Sequence, residues 1–186
     1  MAITKNYRAD QETILRFLDV LGGGLAVLSS NKNARPGFFI VAHTFIKEFI
    51  EENFFKKEAL LITALEDSGF HLNDGPVASL LSEQVKSRDA AEHMLNAAKG
   101  WQAGDQDARA EVGWATSEVT STLRQHLERL KSRVFPLLEQ NISPEDEHKI
   151  SEGLNTITFE NSAKGDVDKY IKLIESLEDE LSEWRR

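Results

Sequence analysis

Residues 36–67 read PGFFIVAHTFIKEFIEENFFKKEALLITALED, and this stretch decides the fold. Its apolar residues recur every three or four positions, which is the spacing of an amphipathic helix rather than of a strand. The apolar face comprises Ile46, Phe49, Ile50, Phe54, Leu61 and Ala64. Pro36 suits the first turn of a helix, and the Ser68-Gly69 pair that follows suits its end. The sequence therefore predicts one long helix from Pro36 to Asp67.

The same spacing continues on both sides of this stretch. It predicts further helices at about Asp10–Ser29, from the turn at 73–76 to about Lys99, at Asp105–Glu139, from Pro144 to about Thr158, and at Val167–Trp184. Three consecutive glycines, residues 22–24, are expected to weaken or bend the first helix or to allow close packing, and Pro136 is expected to kink the end of the fourth. The pattern predicts an all-α protein: an up-down four-helix bundle over residues 1–140, with a C-terminal helical extension over 141–186 that packs on or beside it within a single domain.

Charge and residue content limit the classes of partner. Acidic residues outnumber basic ones by 31 to 22, and the net charge of −9 disfavours nucleic-acid backbones and anionic membrane surfaces. No run approaches the ~20 apolar residues that span a bilayer, and the N-terminus lacks the apolar stretch of a signal peptide, so a cytoplasmic location is expected. Because cysteine is absent, only His, Asp and Glu are left as metal ligands.

Polar residues occupy or border the predicted apolar face of each main helix. They are Gln11 on the first helix, Glu58 on the second, Gln84 on the third, and His126 and Lys131 on the fourth. Burying such a side chain costs free energy unless a partner satisfies it. Each could reach solvent at a helix edge, but their occurrence on four helices also predicts one point inside the bundle where they converge.

Four short motifs occur in order along the chain. They are ADQETI at residues 9–14, FFKKE at 54–58 with ALEDSGF at 64–70, GPV at 75–77 with LSEQ at 81–84 and Arg88, and LRQH at 123–126 with VFPL at 134–137. In this order, and together with the tail from Ser143 to Leu177, they resemble the hemerythrin-like (HHE cation-binding) family over nearly the whole chain. The resemblance implies a four-helix bundle which, in members with intact motifs, holds two non-haem irons through histidines and bridging carboxylates.

The resemblance assigns six positions to the metal site, and most of them are changed. The six are Gln11, Phe54, Glu58, Gln84, His126 and Lys131. Gln11, Phe54 and Gln84 stand where the family has histidines, and Lys131 stands at an acidic position. Only Glu58 and His126 match a ligand, which is too few for a two-iron centre, and the ammonium of Lys131 would repel a dication. We expect Glu58 to pair with Lys131 or His126, and Phe54 to fill the remaining volume.

These residues predict a bundle with no catalytic residues, no metal and no cofactor. It would act as a non-catalytic interaction or small-ligand-binding and sensing protein, with an unidentified protein or small molecule as its partner. An alternative is weak binding of one metal ion, iron foremost, at Glu58 and His126, with a residual role in oxygen or redox sensing. A hydrolase or isomerase with His126 as general base would require an open pocket at that residue. The apolar stripe of the last predicted helix would also suit a homodimer.

Overall fold

The computed structural model describes residues 2–30, 33–164 and 167–186, and these residues are helical almost throughout. The elements are α1 (Ala2–Ser29), α2 (Pro36–Phe45), a π-helical segment π1 (Ile46–Phe54), α3 (Phe55–Asp67), α4 (Gly75–Gln102), α5 (Ala108–Arg129), a second π-helical segment π2 (Leu130–Val134), α6 (Phe135–Asn141), α7 (Pro144–Lys164) and α8 (Val167–Trp184). The described ranges contain no β-strand, so the prediction of an all-helical protein is confirmed. Within these ranges, no helix is both long enough and apolar enough to cross a bilayer.

Helix α1 is longer than its predicted range because the apolar face continues towards the N-terminus. Ile3 and Tyr7 are both buried, so α1 begins at Ala2 rather than near Asp10. The glycines at 22–24 do not interrupt α1. A methyl group on Gly24 would overlap the ring of Phe38. Of the two predictions for these glycines, a bend in the helix or close packing against it, the structure shows close packing.

The predicted helix over Pro36–Asp67 is continuous, but its middle third is wound more loosely. In π1 the backbone hydrogen bonds span five residues, and the N–H of Phe55 donates to the carbonyl of Ile50 at its end. In π2 the N–H of Phe135 likewise donates to the carbonyl of Leu130. Pro136 follows directly and has no N–H to continue the α-helical ladder, so the disruption expected from this proline takes the form of a π-helical turn.

The remaining helix ends differ from the predicted ones by a few residues. Helix α4 extends to Gln102 rather than Lys99, and α5 begins at Ala108 rather than Asp105. Helix α7 continues to Lys164, six residues beyond the predicted Thr158, while α8 spans Val167–Trp184 as predicted. Such differences are ordinary, because helix ends depend on capping and tertiary contacts as well as on periodicity.

The helices pack so that α3, α4 and α5 surround a group of polar side chains in the interior. Helix α4 packs on α5, α1 on α5 and α2 on α4, while α7 lies against α3, and α8 lies against α1 and α2. Four apolar residues of α8 are buried in this packing, namely Ile174, Leu177, Leu181 and Trp184, and the ring of Trp184 lies 4.8 Å from that of Phe38. Much of this stripe is therefore covered within the chain, and the homodimer stays a prediction.

Candidate functional site

A buried histidine on α5 meets a buried glutamate on α3. The side chain of His126 is 1% exposed and that of Glu58 is fully buried. The Nε2 atom of His126 lies 2.6 Å from Oε1 and 2.9 Å from Oε2 of Glu58. Gln84 on α4 donates from Nε2 to Oε2 of Glu58 at 2.7 Å. Three helices therefore contribute side chains to one hydrogen-bonded centre.

The second ring nitrogen of His126 contacts another carboxylate. Its Nδ1 atom lies 3.1 Å from Oε1 of Glu83, which is also on α4. Arg129 donates from Nε to both oxygens of Glu83, at 3.2 Å each. Glu58, His126, Glu83 and Arg129 thus form a chain of alternating charge, which we call the His126 network together with Gln84. With the imidazole protonated, its two cations balance its two anions.

The carboxylates keep His126 charged. Burial lowers the pKa of the imidazole, but the charges and hydrogen bonds of Glu58 and Glu83 outweigh burial and raise the pKa from 6.5 to about 9. For Glu83, burial raises the pKa, but hydrogen bonding to His126 and the nearby Arg129 cation outweigh it, so the net shift is downward. At neutral pH the imidazolium therefore donates one hydrogen bond from each nitrogen, and neither nitrogen has a free lone pair.

Of the six sequence-predicted positions, three meet in the His126 network: Glu58, Gln84 and His126. Gln11 is buried on α1, and its Nε2 donates at 3.3 Å to the carbonyl of Leu127, next to His126 in the chain. Phe54 is fully buried, and its ring lies edge-on to that of Tyr7 at 6.5 Å. That it fills the volume of a lost metal site stays a prediction.

Lys131 does not enter the network. Its side chain is exposed on π2, and the partner of Glu58 is His126, the other alternative that the sequence left open. Lys131 lies in π2, beyond the end of α5, so the α-helical spacing that placed it at the edge of the apolar face does not hold there. The charge of the network is also already balanced, so a third cation would be in excess.

Sequence reasoning missed two members of the network, Glu83 and Arg129. Glu83 directly precedes Gln84, and the interior point lies between the two side chains, so both face it. Arg129 follows His126 by three residues and therefore lies on the same side of α5. The sequence did hold a signal for both residues. Glu83 is a carboxylate next to the predicted Gln84, and Arg129 is a guanidinium one helical turn after the predicted His126.

A second buried polar cluster lies beside the network. Lys57, next to Glu58 in the chain, is 6% exposed. Its Nζ donates to Oδ2 of Asp10 at 2.8 Å and to Oδ1 of Asn6 at 3.0 Å. The hydroxyl of Tyr7 donates to the carbonyl of Lys57 at 2.7 Å. This cluster ties α1 to α3, and none of its polar contacts was expected from the sequence.

The donor set does not fit a two-iron centre. Glu58 and Glu83 contact different nitrogens of His126. One ion therefore cannot be coordinated by the imidazole and by both carboxylates. Two ligands on one ion, each at ~2.1 Å and at 90–109° to one another, lie about 3.0–3.4 Å apart, whereas the 2.6 Å between Nε2 and Oε1 is a hydrogen-bonding distance. Among the described residues, no group of three or more His, Asp or Glu side chains could hold a metal ion.

Comparison of the chain with protein-family models, with curated proteins and with solved structures finds no match. The hemerythrin-like resemblance therefore stays a prediction.

Proposed function

We propose that this chain is a hemerythrin-like four-helix bundle in which the His126 network occupies the position of the metal centre, and that it binds a small ligand or a protein partner without catalysis. The observation that carries this proposal is the hydrogen bonding of His126, whose two nitrogens are each held by a buried carboxylate. A side chain fixed on both sides in this way has no atom left for a metal ion.

The substitutions at the other predicted positions support replacement of the metal centre. Gln84 holds Glu58 through a neutral N–H donor, and Gln11 uses its amide on a backbone carbonyl. Phe54 contributes an apolar ring to the same interior. An amide can donate a hydrogen bond without a metal, and a phenyl ring excludes water, so each replacement keeps the interior filled and satisfied.

The environment of His126 argues against a catalytic role. A general base at neutral pH must be unprotonated and must reach a substrate proton. With a pKa of about 9 and 1% exposure, the imidazole meets neither condition. A binding protein does not require an unprotonated or accessible imidazole, because the network then serves to hold α3, α4 and α5 together.

Elemental analysis of protein purified from iron-supplemented cells tests the proposal, read beside the near-ultraviolet and visible spectrum. We expect no stoichiometric metal and no oxo-bridge charge-transfer band. Two irons per chain with such a band would overturn the proposal and restore an oxygen or redox function. One metal per chain that is lost in Glu58→Gln but kept in Glu128→Gln, an exposed control on α5, would instead support the mononuclear alternative.

A further inference from the structure

A cavity of about 200 Å³ lies among α1, π1, α3, α7 and α8, next to the buried Lys57. We propose that it binds a small neutral molecule with a planar apolar body and one amide-like group that both donates and accepts hydrogen bonds. This inference names a ligand class for the binding role proposed above and rests on that role, but it concerns a site separate from the His126 network.

The polar wall of the cavity offers one unused donor and one unused acceptor. Two of the three N–H groups of Lys57 donate to Asp10 and Asn6, and the third has no acceptor among the described residues. Asn161 donates from Nδ2 to Oδ1 of Asn53 at 2.8 Å, while its own Oδ1 receives no hydrogen bond within the described ranges. Lys57 and Asn161 both line the cavity. A ligand carbonyl suits the first and a ligand N–H suits the second, and a primary amide carries both.

The charges in the cavity wall are already paired, which favours a neutral ligand. Lys57 forms an ion pair with Asp10 at 2.8 Å, and Glu48 forms one with Lys169 at 3.0 Å. The charged lining residues are therefore compensated by partners within the chain. A charged ligand would bring an unpaired charge into a partly enclosed site, which is costly.

Part of the cavity lining is aromatic. The rings of Phe49 and Tyr170 both line the cavity, and their centroids are 5.3 Å apart. An aromatic pair of this kind supplies apolar contact area to a planar ring. An apolar cavity of about 150 Å³ accepts a benzene ring, so about 200 Å³ accommodates a ring that carries an amide.

The backbone that shapes the cavity is unusual in the same place. Three of the lining residues, Glu48, Phe49 and Asn53, belong to π1. A π-helical stretch has poorer hydrogen-bond geometry than an α-helix, and such stretches occur frequently at functional sites. Here π1 places an amide, a carboxylate and an aromatic ring on the same cavity.

Titration with benzamide, followed by the side-chain amide signals of Asn53 and Asn161 in ¹⁵N-¹H correlation spectra, tests the proposal on the wild-type chain. Benzoate and benzamidine have the same size and shape but carry a negative and a positive charge. We expect saturable shifts with benzamide at a Kd of about 1 mM, as befits so small a ligand. The two charged isosteres should bind at least tenfold more weakly. No saturable binding of benzamide, or tighter binding of either charged isostere, would overturn the proposal.

A matched pair of variants on α7 locates the binding. Asn161→Ala should weaken benzamide binding about fivefold, the contribution of one neutral hydrogen bond. Asn155→Ala removes the same side chain from an exposed position outside the cavity and should bind like the wild type. Equal affinity in both variants would place the binding elsewhere and refute the site. Metal content measured on the same samples tests the proposed function separately, so the two failures are distinguishable.

Discussion

Replacing Glu58 by glutamine should change how the stability of the protein depends on pH. Glutamine keeps the shape of the side chain and an oxygen that accepts a hydrogen bond, but it removes the carboxylate that lies 2.6 Å from Nε2 of His126. The substitution leaves Glu83 as the only carboxylate on the imidazole. The pKa of His126 should therefore fall towards its ordinary value, because burial still opposes the charged form and one of the two opposing anions is gone.

The size of the effect in the wild type follows from the raised pKa. The native state keeps the proton on His126 up to about pH 9, whereas the unfolded chain releases it near the ordinary pKa of 6.5. Between these values the native state binds more protons than the unfolded state, so the free energy of unfolding falls as the pH rises. The contribution is fully present well below pH 6.5, and about 3 kcal/mol is lost as the pH rises from about 6 to about 9.5.

Urea unfolding at several pH values across this window measures the effect, with the fluorescence of the buried Trp101 and Trp184 as signal. Glu58→Gln should be less stable by about 3 kcal/mol at pH 6, the cost of removing one partner of a buried ion pair. Its free energy of unfolding should then fall by about 1 kcal/mol or less up to pH 9.5. Glu128→Gln, which removes an exposed carboxylate from α5, should keep the wild-type slope. A wild-type slope as shallow as that of Glu58→Gln would refute the assignment of a charged His126.

Two further predictions concern residues around the network and in α1. Gln84→Leu removes the neutral donor to a buried carboxylate and should lower the free energy of unfolding by about 1.5–3 kcal/mol. Gln125→Leu, at an exposed position of α5, should change it by less than about 0.5 kcal/mol. Urea unfolding of both variants measures the difference. Gly22→Ala should stabilise the protein by about 0.5–1 kcal/mol because a methyl group there meets nothing within 4 Å. Gly24→Ala should lower the melting temperature instead, because the methyl group would overlap the ring of Phe38, and an increase in both variants would contradict the close packing described for this helix.

The helical fold could be predicted because its signal is local. Apolar spacing alone located every long helical stretch, and the end of α1 and both ends of α8 coincide with the predicted residues. The winding within a helix could not be predicted in the same way. Nothing in the residues of π1 prescribes hydrogen bonds over five positions, and the local sequence does not reveal the tertiary contacts of the segment, such as those of Glu51 with Arg88 and of Phe49 with Tyr170. For π2 the sequence held a partial signal, the missing N–H of Pro136.

The polar centre could be predicted in outline because its members interrupt apolar faces. Glu58, Gln84 and His126 were found by this argument, and the structure brings them together. The Lys57–Asp10 pair was missed although the spacing held a signal, because Lys57 precedes Leu61 by one helical turn and so lies on the same apolar stripe. A lysine beside another lysine is usually solvated, so local sequence alone gave no reason to bury it. The partner that makes burial tolerable is 47 residues away in the chain.

The alternating charges of the His126 network also bear on how the chain assembles. Glu58, Glu83 and His126 belong to three different helices, and the charges of Glu58 and Glu83 are compensated only when α5 is docked beside α3 and α4. A partly assembled chain in which α3 is detached leaves the imidazolium with one carboxylate instead of two, and one in which α5 is detached leaves Glu58 and Glu83 without the cations that compensate them. Such half-docked arrangements carry an electrostatic cost that the complete one avoids. The network therefore couples the three helices so that they form and melt together, and it makes the folding transition of this part of the molecule more cooperative than apolar packing alone would.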